Sequence, residues 1–185
     1  MSLRRVFLVW GALLTLAIGI GAGSSAFASH RWYCWRYADT SINWYNGASG
    51  TYHNIFDEEA ITDTDSWHNY TLIDLTPVYS PGSTDHINAY NGYYGTTGWY
   101  GIAEVVSNNG CTVLEGRARL NQTYLDSFTR TTREHVACQE VGHLFGLDHQ
   151  DNFTSCMSNP QIDGQFVLNA PQPDEHDREM IDLIY

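Results

Sequence analysis

Cys138-Gln139-Glu140-Val141-Gly142-His143-Leu144-Phe145-Gly146-Leu147-Asp148-His149 is the stretch on which the reading of the chain turns. Taken as a helix, it sets Gln139 and His143 four residues apart on one face, with Glu140 beside them. Gly146 is the residue type most willing to take a left-handed conformation, so the helix ends there and the chain turns. That turn can carry His149 back towards the face bearing His143. An amide and two imidazoles meeting at one point, with a carboxylate alongside, suit a zinc ion that keeps its fourth position for water.

Glu140 to His149 resembles H-E-x-x-H-x-x-G-x-x-H, the signature of the metzincin zinc peptidases, at every letter except the first, where position 139 holds Gln. Ser155-Cys156-Met157-Ser158-Asn159-Pro160 resembles the Met-turn of that clan, the tight turn that underlies the metal. His143 to His149 is most similar to the matrixins, as is the ending from Pro173 to Tyr185. The resemblance is strong over residues 132 to 185 and weak from 40 to 130. It implies an α+β, zincin-like fold, in which a twisted mixed five-stranded sheet is backed by about three helices and the active-site helix is followed by the Met-turn. It also implies one catalytic zinc on Gln139, His143 and His149, Glu140 as general base, and Met157 as the floor of the site.

Gln139 is the departure from the pattern. Its amide oxygen is neutral like imidazole, so the metal would keep its charge, but it is a poorer donor to zinc and predicts looser binding. His135 is not expected to take the role. It lies eight residues before His143, about 12 Å along a helix, too far to share an ion bound at about 2 Å.

The N-terminus reads as a secretory signal peptide over residues 1–28. Arg4 and Arg5 precede an apolar run, and Ala26-Phe27-Ala28 is an A-x-A cleavage site. Residues 29–185 then form a single domain, large enough for a real core. Removing Arg4 and Arg5 leaves seven Arg against 21 acidic residues, with no Lys. Such a chain repels nucleic acid and anionic lipid, so neither is an expected partner, and no membrane attachment is expected after cleavage. The acidity serves solubility outside the cell or calcium binding, and both readings stay open.

Four cysteines in an exported chain imply two disulfides, with three pairings open. The resemblance favours Cys138–Cys156, which would tie the ligand helix to the Met-turn beneath it, and so leaves Cys34–Cys111. A Cys34 latency switch is the alternative, but the matrixin switch motif is absent around it. His53, His68 and His86 lack dense metal-ligand spacing and read as surface residues. The many Tyr and Trp read as core and strand packing rather than a carbohydrate platform.

Along the chain, strands are predicted over 41–45, 70–78, 86–90 and 113–124, the last by its period of two. A helix is expected over 58–67, a Gly/Tyr-rich loop over 91–100, and an apolar stretch near the cleft over 101–106. Thr131-Thr132-Arg133-Glu134 reads as the capping box of the active-site helix. A loop is expected over 161–170, then a last helix with Met180, Leu183 and Ile184 on one face. Two functions follow. The first is a secreted, monomeric zinc endopeptidase acting on protein or peptide. The second is a metzincin-like protein that lost its first ligand and binds protein or glycan through the old cleft.

Overall fold

The computed structural model describes residues 30–151, 153–158 and 170–185. The signal-peptide reading and nearly all of the 161–170 loop lie outside them. Five strands form one sheet in the order β2-β1-β3-β5-β4. These are β1 (Ser41–Asn46), β2 (Asp74–Pro77), β3 (His86–Gly92), β4 (Gly101–Asn109) and β5 (Thr112–Asn121). The pairings are parallel except the last, where β4 runs antiparallel to β5 with Ala103 opposite Ala118. The sheet is therefore mixed, as the resemblance implies, and β4 is an antiparallel edge.

Alternation along each strand decides which face is covered. Ile42 and Trp44 of β1, Ile87 and Ala89 of β3, and Ala118 and Leu120 of β5 are buried, while Tyr45, Tyr90, Arg117 and Arg119 occupy the other face. The buried face carries α1 (Thr51–Asp57) and α4 (Arg130–Leu144). Smaller helices are α2 (Trp67–Tyr70) and α3 (Gln122–Leu125), and α5 (Glu175–Ile184) closes the chain. No helix among the described residues is long and apolar enough to cross a membrane.

Several expectations shift. The helix read over 58–67 begins earlier, at Thr51, and passes into a π-helical turn over Glu58–Thr62. Gly50 supplies no side-chain cap, so the start has no local signal; burial of Tyr52, Ile55 and Phe56, spaced i, i+3, i+4, holds the helix instead. The strand read over 70–78 shortens to β2, because Ser66 caps residues 67–70 into a helical turn and Thr71 Oγ1 donates to Trp67 O at 2.6 Å. β5 stops at Asn121, whose side chain accepts Thr123 N–H at 3.1 Å and starts α3. The active-site helix is capped by Thr129, not by a box at Thr131: Thr132 N–H donates to Thr129 Oγ1 at 3.3 Å, and Glu134 pairs with Arg130.

Two disulfides staple the fold. Cys34–Cys111 joins the first described segment to the β4–β5 turn, and Cys138–Cys156 joins α4 to the 155–158 turn. Loops of 77 and 18 residues correspond to about 4.5 and 3 kcal/mol in the chain-entropy account.

Candidate metal centre

α4 lies across β4 and β5, and its last two turns carry the residues in question. Gln139, Glu140 and His143 are almost fully buried at 6%, 7% and 9% exposure. The helix ends as Gly146 takes φ +93°, and a Cβ there would strike the Trp35 carbonyl oxygen. The chain reverses, and His149 returns so that its Nε2 faces His143 Nε2 at 3.1 Å. All four residues border one cleft of about 470 Å³.

The protonation pattern follows from the neighbours. His143 Nδ1–H donates to Leu147 O at 2.8 Å; a carbonyl only accepts, so the proton sits on Nδ1 and the Nε2 lone pair is directed at His149. Burial pushes His143 down to about 4, helped by His149 and opposed by the Leu147 carbonyl and Asp148. Burial also lowers His149, against Asp148. Two neutral rings whose nitrogens face each other at that distance fit two ligands of one ion, since nitrogens at about 2.05 Å in a tetrahedron lie about 3.3 Å apart. The Leu147 carbonyl is the partner that fixes the His143 tautomer, as an outer partner does for a metal-binding histidine.

Gln139 contributes differently. Its Nε2–H donates to Ser158 O at 2.9 Å, which leaves the amide oxygen as the atom it can offer a cation. No set of three His, Cys, Asp or Glu donors gathers here among the described residues, and the Gln139 amide borders the same cleft as the two imidazoles. His135 is fully buried and its Nδ1–H donates to Ala170 O at 2.7 Å, while its Nε2 has no hydrogen-bond partner among the described residues.

Glu140 is pushed up to about 8 by burial, offset by the Ala103 N–H that it accepts from β4. The carboxylate fits against the strand because residue 101 is glycine. A Cβ there would come within 2.6 Å of Glu140 Cγ and Oε1. Nothing local in the sequence announces the Ala103 contact, although the start of the 101–106 stretch, Gly101 to Ala103, does border the cleft.

Met157 is fully buried beneath α4, its sulfur against Gly142. Trp67 Nε1–H donates to Cys138 O at 3.0 Å, and the Cys138–Cys156 bond holds the same level of the helix. The turn is clamped to α5 from below: Ser155 Oγ and Gln150 Nε2 both donate to Asp177, which also accepts Asp174 N–H at 2.9 Å. Asp174, His176 and Asp177 form the one group of three donors close enough to share an ion among the described residues. The α5 capping box and these bonds account for both aspartates. His53, His68 and His86 do not converge: they meet Asp57, Asp74 with Leu75 N–H, and Thr84 O respectively.

The N-terminal segment was not foreseen as part of the centre. Residues 30–32 run antiparallel to 146–148, with Trp32 N–H on Gly146 O and Asp148 N–H on His30 O, both at 2.8 Å. His30 Nδ1–H donates to His149 O at 2.6 Å, and the Trp32 ring sits 5.6 Å from that of His143. This strap fixes the turn that presents His149.

No protein-family model and no curated protein sequence matches the chain. Among solved structures it is similar to the crystal structure of myroilysin, at 14% identity over 81% of this chain and 85% of that one, with a TM-score of 0.48.

Proposed function

We propose that the chain is a secreted zinc-dependent endopeptidase, acting as a monomer on protein or peptide substrates, with Gln139, His143 and His149 as metal ligands. The observation that carries this reading is the approach of His143 Nε2 and His149 Nε2 to 3.1 Å, with Glu140 on the same helix and the same cleft. A zinc ion bound there would acidify a water and polarise the scissile carbonyl. Glu140 is the base: the charge of a zinc ion bound beside it would favour the ionised form against burial, and that carboxylate takes the proton of the attacking water and passes it to the leaving amine. The carboxylate lies against β4 at Gly101, beside the Ala103 backbone, and burial removes competing water. β4 pairs on one side only and borders the cleft with Gly101, Ile102 and Ala103, so an extended peptide can lie along it. The two disulfides suit an oxidising compartment.

A second reading is a binding protein that keeps the cleft without the chemistry. It is favoured by the bond from Gln139 to Ser158 O, which gives that side chain a structural task with no metal present. Replacing the base separates the two. Glu140→Gln should lower kcat on casein-derived peptides by about 10³-fold, with zinc content unchanged. A wild-type chain fully loaded with zinc that cleaves no peptide supports the binding protein.

A further inference from the structure

The same cleft has a charged wall that the chemistry of the preceding section does not use. Asp148 borders it beside Trp32, and Trp99 and Tyr100 complete an aromatic lining. The backbone bonds of the 30–32 strap set Trp32 opposite Gly146 and Asp148 opposite His30, and both Trp32 and Asp148 border the cleft. Asp148 is exposed; its Oδ1 accepts His149 N–H at 2.8 Å, and no ion pair engages it among the described residues. Among the described residues, Asp148 and Glu140 are the carboxylates that border the cleft, and no arginine does. Arg119 stacks on Trp99, 5.6 Å from a ring centroid, but is tied to Glu104 at 2.7 Å and is not part of the lining.

We propose that this wall selects substrates bearing an arginine or lysine side chain near the bond that is cut, the cation meeting Asp148 and the stem lying on the Trp32 ring. The proposal rests on the peptidase reading. Aromatic faces attract a cation through their quadrupole, and a carboxylate beside them gives the pairing its sign. The excess of acidic over basic residues steers the same class of peptide towards the chain.

The test uses two peptides identical except for arginine or citrulline, which share a shape and differ in charge. Binding is measured by fluorescence anisotropy on the zinc-loaded Glu140→Gln chain, and kcat/KM on the wild type. The arginine peptide should win by at least about fivefold in both, and the advantage should shrink in about 0.5 M salt. Asp148→Asn keeps an oxygen for His149 N–H, so the arginine-to-citrulline ratio should fall to about one; a ratio is insensitive to any loss of metal. Equal binding of the two peptides, or a preference that survives Asp148→Asn, overturns the proposal. Preferential binding without cleavage of either peptide would keep the recognition and end the peptidase reading. Equal binding with cleavage of both would do the reverse.

Discussion

Gln139 is placed by its neighbours before any cation arrives. Its amide nitrogen is committed to Ser158 O, so the oxygen is the free end of the group, at the position where the resembled signature has histidine. A histidine there would offer a ring nitrogen in place of an amide oxygen, and its second nitrogen could still donate to Ser158 O. Imidazole is the better donor to zinc. Gln139→His should therefore tighten zinc by at least about tenfold, read by competition against a chelator of known affinity. Unchanged affinity would mean that side chain 139 does not reach the ion. The other two residues need no such change: His143 already has its proton on the nitrogen facing Leu147 O, and its free lone pair faces His149.

At the scale of elements, the site is a contract between α4 and the edge strand β4. Gly101 lets the two approach until the Glu140 carboxylate reaches the Ala103 N–H. Gly101→Ala should displace that carboxylate and lower kcat/KM by about ten- to a hundredfold, the scale of a 1 Å misplacement of a catalytic group. Circular dichroism should show the fold retained, and retained activity would mean that the base sits elsewhere. What the sequence revealed follows the same division. The placing of Gln139, Glu140 and His143 on α4 and the Met157 turn were legible because each belongs to a local pattern, with its spacing set by helix pitch or by a tight turn. The sheet was legible from alternation in β1 and β5. The start of α1 was not, since Gly50 carries no cap and only tertiary burial of Tyr52, Ile55 and Phe56 holds it. The Trp32 strap and the Ala103 contact were equally hidden, because distant segments meet there through backbone groups that every residue carries.

For the molecule as a whole, charge is the governing quantity. Glu59 in the π-helical turn is buried at 4% exposure, and burial, then Glu134, Asp63 and Glu58, push it from 4.5 up to about 9 against the pull of Arg130. Between those two values the folded chain holds a proton that the unfolded chain has released, so stability falls as pH rises through that window. Glu59→Gln should flatten this slope and stabilise the chain at pH 8 by about 1–3 kcal/mol, with no gain near pH 4, as measured by denaturant midpoints. An unchanged slope would show that Glu59 ionises freely in the fold. The central claim is that one ion is held by the helix and the turn after it. Its most direct test is calorimetric titration of the purified, metal-free chain with zinc, alongside the His143→Ala/His149→Ala double variant. We expect one equivalent bound by the wild type and none by the double variant. No binding to the wild type, or an undiminished equivalent on the double variant, would contradict the account.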